Sequence, residues 1–219
     1  MKMRYYAACA LMVAVAIAAF FYALPGLPGQ VPVHWNIHGE ADRYGSPWSL
    51  FLIGPVLMAG TMAMFAVLPW LSPKRFEVDS SMRAYLAFML ILVGMFGYFF
   101  AVSLWAAMNG PVGAPRAIIG GLCVLSILLG NLMGKVRRNF FLGVRTPWTL
   151  ASERVWYATH RVAGKVLVGA GLVGLALLLA SAPGWMSVAV VSLGFVVPVV
   201  YSLVHYKRLE RAGQLDIAA

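Results

Sequence analysis

Charge is what this 219-residue sequence has least of: only 11% of its residues are Asp, Glu, Lys or Arg. A soluble domain carries about a quarter. With 62% hydrophobic residues and a mean hydropathy of +0.82, the chain needs lipid as its solvent. Acidic groups are the scarcest. Glu40, Asp42, Glu77, Asp79, Glu153, Glu210 and Asp216 all fall outside the long apolar runs. Ionisable groups at membrane depth mark ion paths and proton relays. Their absence argues against an ion-coupled pump, and His205, near the end of the last run, reads as interfacial. Cysteine is nearly absent too. Cys9 and Cys123 lie within apolar runs with no CxxC spacing, which excludes a disulfide framework and leaves two small buried hydrophobes. A cleavable leader is also missing from the pattern. After "MKMR" the apolar core from Tyr5 to Leu24 exceeds the roughly 7–15 residues of a signal peptide, and no A-x-A site follows, so it reads as a retained span.

What the chain does have is helix-length apolar sequence. A bilayer core takes about 20 residues per helix. Six segments qualify, at 5–24, 49–71, 84–108, 116–134, 163–181 and 185–205. Breakers separate them: Pro25, Gly26 and Pro28; Pro69 and Pro73; Pro111 and Pro115; Pro183 and Gly184. Pro55 and Pro198 fall inside spans, where neighbouring helices can satisfy the freed carbonyls. The expected fold is an all-α polytopic membrane protein of six transmembrane helices. Residues 1–110 form a three-helix region with a loop at 25–48. Residues 111–219 form a second, with a loop at 135–162.

The basic residues orient it. On one side lie Lys2, Arg4, Lys74, Arg75, Arg83, Lys135, Arg137, Arg138, Arg145, Arg154, Arg161, Lys165, Lys207, Arg208 and Arg211. The other side has only Arg43 and Arg116, the remaining two of 17. The positive-inside rule then makes both termini cytoplasmic, the 25–48 loop outward and the 135–162 loop inward. The net charge of +10 is thus cytoplasmic decoration, not a nucleic-acid footprint. A cell membrane is the expected location, and membrane lipids are the first expected partners.

The outward loop is rich in chemistry. Its "LPGLPGQVP" stretch predicts a stiff, extended chain with no helix. Then come His34, Trp35, Asn36, His38, Glu40 and Asp42. Histidines followed by carboxylates are zinc-type ligands, so these four ionisable residues form a metal alternative, although no HExxH is present. A hydrogen-bonded loop capping the bundle, with Trp35 at the headgroups, is a second reading. A recognition surface for an external ligand is a third, compatible with the second.

In the inward loop, "RTPW" reads as a helix start, with Thr146 as N-cap and Pro147 at the first helical position. That helix is expected to run to about His160. Its apolar stripe would be Trp148, Ala151, Val155, Ala158 and Val162, making it an interfacial amphipathic helix. The cluster Arg145, Thr159, His160 and Arg161 is left over by that reading.

The stretch from Gly130 to Gly164 resembles the SdpI family of bacterial membrane proteins. The matching residues are Gly130-Asn131, Lys135, Asn139, Gly143, the run Arg145 to Leu150, Ser152-Glu153, Val155-Trp156, Thr159-His160-Arg161 and Gly164. The outward loop resembles a domain of unknown function found upstream in such proteins, through Pro32, His34, Trp35, Asn36, Gly39, Asp42, Arg43, Gly45 and Ser46. Arg138, Ala158 and Pro47 depart from the pattern. The resemblance implies immunity against an extracellular peptide toxin, and signalling through a cytoplasmic transcriptional repressor. It implies no catalysis and no cofactor. The candidate ligand- or partner-binding residues are His34, Trp35, Asn36, Gly39 and Asp42 outside. Inside they are Arg145, Thr146, Trp148, Glu153, Trp156, Thr159, His160 and Arg161. The alternatives are a small transporter and a metal-dependent membrane enzyme using His34, His38, Glu40 and Asp42. "SPWSL" at 46–50 echoes "TPWTL" at 146–150, which would suit a 3+3 inverted repeat.

Overall fold

The computed structural model describes residues 1–36, 38–72 and 81–216. Lys74, Arg75, Glu77 and Asp79 of the charge argument lie outside the described residues, as does Pro73 among the breakers. Among the described residues, six helices are long and apolar enough to cross a membrane: Lys2–Gly26, Trp48–Val67, Met82–Asn109, Ala114–Met133, Glu153–Leu179 and Gly184–Arg211. The polytopic helical membrane architecture is therefore as expected.

In chain order the elements are α1 (Lys2–Ala23), strands β1 (Val31–Trp35) and β2 (Ala41–Gly45), then α2 (Trp48–Phe51) and α3 (Leu57–Val67). After them come α4 (Met82–Asn109), α5 (Ala114–Met133), α6 (Pro147–Ala151), α7 (Glu153–Leu179) and α8 (Gly184–Arg211). One π-helical turn, Leu52–Val56, joins α2 to α3. It contains Pro55, which has no N–H for the regular ladder, so the wider turn absorbs the defect within the span. The hairpin and the α1–α2 connection lie on one face, the hairpin face. Met1, the α5–α6 loop and Gln214–Asp216 lie on the other, the terminal face.

The helices meet through small residues. Lipid tails are as apolar as leucine, so close backbone approach and hydrogen bonds must supply the attraction. At the α5–α7 crossing a Cβ on Gly130 would sit 3.0 Å from the Gly164 carbonyl oxygen, and one on Gly171 would lie 2.5 Å from the Cys123 oxygen. Ser126 Oγ donates to the Leu167 carbonyl at 2.8 Å. Between α7 and α8, Ser187 Oγ donates to the Gly174 carbonyl at 2.9 Å. The larger apolar core includes Cys9, Phe20, Phe65, Tyr85 and Met89 from the first three spans, with Val136, Leu142, Trp156 and Leu167 beyond residue 110. Along α8 the surface is the reverse: Leu193, Phe195, Val196, Val200 and Val204 are exposed, as lipid-facing residues must be.

Two local expectations are corrected. The "LPGLPGQVP" stretch, residues 24–32, is extended only after its first turn. Leu24–Gly26 forms a 3₁₀ turn, and Val31–Trp35 pairs antiparallel with Ala41–Gly45 in a two-stranded hairpin. Pro32 is tolerated because a two-stranded ribbon has a free edge. The helix opening at Pro147 does not reach His160. Ser152 is extended (φ −134, ψ 127), which ends α6 at Ala151, and its hydroxyl then caps α7 by accepting from the Val155 N–H at 3.2 Å. The fifth span thus begins at Glu153 rather than 163, and the expected helix from Pro147 to His160 is split between α6 and the first turns of α7. The buried stripe on α7 is Val155, Trp156, Thr159, His160 and Ala163.

Candidate functional site

The hairpin is built by its polar residues. Asn36 makes the turn: its Oδ1 accepts from the His38 and Glu40 N–H groups at 2.9 and 3.0 Å, and its Nδ2 donates to Glu40 Oε2 at 3.0 Å. Gly39 has φ +81, and a Cβ there would reach 3.4 Å from Pro115 at the start of α5, so the turn is seated on that helix. Across the strands, His34 Nδ1–H donates to Asp42 Oδ1 at 2.6 Å. That hydrogen bond holds the exposed Asp42 carboxyl below its ordinary range, and the neighbouring Arg43 charge adds to it. His34, His38, Glu40 and Asp42 do not converge. Among the described residues no three such side chains gather as a metal site. The pairs instead are His34 with Asp42 and Glu40 with Asn36.

Beneath the hairpin is a cavity of about 700 Å³. One wall is His34, Trp35, Asn36, His38 and Gly39; the other comes from Pro115 and Arg116 of α5, the Ser181–Pro183 connection, and Trp185 and Val188 of α8. The Trp35 indole N–H is buried with no hydrogen-bond partner among the described residues. Such a group costs roughly 1–3 kcal/mol unless something accepts its proton. The Arg116 guanidinium donates to the Leu178 carbonyl, closing the far wall. The sequence had singled out Arg116 only as one of two outward cations. Trp185 and Pro115 carried no signal, because only the packing of α5 and α8 under the hairpin brings them there.

The terminal-face motif is a different kind of construction. Asn139, 1% exposed, organises the loop after α5 by accepting from the Phe141 and Leu142 N–H groups at 2.8 and 2.7 Å. Gly143 follows at φ +95, pressed so close to His160 that a Cβ would lie 2.1 Å from Nε2. The Val144 N–H donates to His160 Nε2 at 3.1 Å, and Nδ1–H donates to the Trp156 carbonyl at 2.8 Å. These partners assign the neutral ring with its proton on Nδ1. Trp156 stacks on His160 at 4.1 Å and donates its indole N–H to the Val136 carbonyl at 2.9 Å.

Thr146 and Thr149 form a reciprocal cap on α6, and Thr149 Oγ1 also donates to the Val144 carbonyl at 2.8 Å. Arg145 donates to the Phe140 carbonyl at 2.7 Å, and Trp148 donates to Ser202 on α8. Arg138 bridges the Leu150 carbonyl and Glu153. The Thr159 hydroxyl is buried without a partner among the described residues. Of the inward candidates, Trp156, Thr159 and His160 are sealed in the core, while Arg145, Glu153 and Arg161 are exposed. One member was missed. Asp216 accepts from Ser152 Oγ and, at 3.1 Å, from the Arg154 N–H, putting a carboxylate on the start of α7. Burial pushes that carboxyl up, but the Ser152 and Arg154 hydrogen bonds hold it below its usual range overall. Its sequence position beyond the last span offered no signal.

Comparison with known proteins now bears on both constructions. A model of a domain of unknown function (DUF1648) matches residues 11–59, which contain the hairpin. The SdpI/YfhL protein family model matches residues 135–202, which contain the buried histidine knot. Immunity protein SdpI of Bacillus subtilis is 33% identical over 150 residues, covering 67% of this chain and 68% of that protein. No solved structure matches the chain. On these matches, the chain belongs to the SdpI/YfhL protein family.

Proposed function

We propose that this chain is a non-enzymatic membrane immunity protein whose hairpin-face cavity holds part of an extracellular peptide toxin. Its relative's name supports the immunity role. The observation that carries the finer reading is the cavity itself: about 700 Å³, walled by the hairpin and by α5 and α8, with a buried indole donor that has no partner among the described residues. A concave, mostly apolar space with a few fixed polar groups is what a binding site requires. The basic bias of the terminal face supports its placement in the cytoplasm of a bacterial inner membrane, so that the hairpin faces outward. The exposed Arg145 and Arg161 supply a surface for a cytoplasmic partner, such as a transcriptional repressor, if occupancy of the cavity is signalled inward.

The test is survival of a peptide-sensitive bacterium expressing the chain, beside Arg116→Gln and Trp35→Phe at matched membrane level. Protection by the parent chain and its loss in both variants is the expected result. Full protection by both variants would remove the cavity from the function. No protection by the parent chain would overturn the peptide reading.

A further inference from the structure

A second concave site lies at the terminal face, between α7 and α8; of its lining, the immunity reading uses only the exposed charge of Arg161. It is a groove of about 490 Å³. From α7 it takes Arg154, Tyr157, Ala158 and Arg161, spaced three and four residues apart on one helical stripe; from α8 it takes Tyr201, His205 and Leu209. Gln214 closes one end by accepting from Arg154 Nη1 at 3.0 Å through its carbonyl. Two guanidiniums and an imidazole line this space, and no carboxylate does. Nearby acids are already engaged, Glu210 by Lys207 at 2.8 Å and Asp216 by Ser152 and Arg154.

Arg154 is engaged by the Gln214 carbonyl, and the groove's other donors are open. The exposed Arg161 guanidinium has no hydrogen bond or ion pair among the described residues, and neither do the Tyr157 and Tyr201 hydroxyls. The His205 ring is held by stacking on Tyr201 at 5.4 Å, which leaves both nitrogens in the groove edge-free of protein partners among those residues. Arg is the side chain whose donor fork matches a phosphate.

We propose that this groove binds the phosphate headgroup of an anionic phospholipid in the adjoining leaflet. The continuation of the two stripes is what selects a lipid over a free anion. Lys165 follows Arg161 by four residues on α7. On α8, Val197 precedes Tyr201 by four and is exposed, with Val200 and Val204 exposed beside it. A ligand seated at Arg161 would therefore have apolar helix surface on the membrane side for its acyl chains. Basic pockets between membrane helices recognise lipid headgroups in this way.

The experiment is native mass spectrometry and thermal unfolding of the full chain in detergent, titrated with short-chain phosphatidylglycerol, phosphatidylcholine or inorganic phosphate. Phosphatidylglycerol should be retained one per chain and raise Tm saturably. Arg161→Gln should weaken that retention about tenfold, Arg161→Lys should restore part of it, and Arg4→Gln, a basic residue elsewhere on the same face, should leave it unchanged. Equal retention of phosphatidylcholine would overturn the proposal. So would an equal Tm rise with inorganic phosphate, undiminished binding by Arg161→Gln, or an equal loss in Arg4→Gln.

Discussion

The hairpin and the loop leading into α7 are made of the same residue types, histidine, tryptophan, asparagine and glycine, and are built to opposite ends. In the hairpin, Asn36 and Gly39 shape a turn that leaves His34 exposed and the Trp35 indole, above a cavity, without a partner among the described residues. In the α5–α7 loop, Asn139 and Gly143 shape a turn that closes on His160, 1% exposed, with both ring nitrogens bonded and Trp156 stacked on it. A polar group with its partners in place holds a fold together. Under the proposed function, the Trp35 indole is the group that a ligand in the cavity would meet.

The contrast breaks most readily at Trp156. Trp156→Ala removes a fully buried ring and leaves the Val136 carbonyl unpaired, a loss of roughly 3–5 kcal/mol. The expected outcome is a sharp fall in the amount of folded protein by size-exclusion and thermal melt. Normal yield and Tm would show the knot to be dispensable.

Gly143→Ala should cost about 1–3 kcal/mol for the left-handed backbone alone, and more because its Cβ collides with His160. Thermal unfolding reads this, and the same substitution at the open position Gly134 is the control. In the hairpin the comparison should invert. Trp35→Phe keeps the ring's bulk and should leave Tm within a degree or two, yet weaken peptide binding about tenfold, or ~1.4 kcal/mol. A large Tm loss there would make the two regions alike.

The smallest effect concerns pH. Asp42 has its carboxyl held below the ordinary value by His34, so the pair's support of the hairpin is complete above about pH 4. It is lost as pH falls through the depressed folded value. Hydrogen exchange of the hairpin amides, compared at each pH with Asp42→Asn, should show the difference vanish at the acid end. A difference that persists there would mean that the brace contributes nothing.

The six spans, the breakers between them, the helix start at Thr146-Pro147 and the family pattern were all legible in the residues. The number of crossings follows from how much apolar length a bilayer requires, and a cap follows from which side chains can reach a free N–H; both are local or compositional facts. The end of that helix was not legible. Ser152 is of a type favoured at caps but also tolerated inside helices, so its identity alone does not mark the break. Its choice of the cap depends on Asp216, far along the chain, and on the burial of Trp156 and His160 against the α5–α6 loop. The same holds for the site. Sequence order put His34, Trp35, Asn36 and Gly39 in one loop, but Arg116, Ser181 and Trp185 complete the cavity only because α5, α7 and α8 pack by close approach of their glycines. Lipid solvation and helix caps are written residue by residue. Which polar groups end up paired, and which face an open space, is set by contacts between segments distant in sequence, and those exist only once the helices have met.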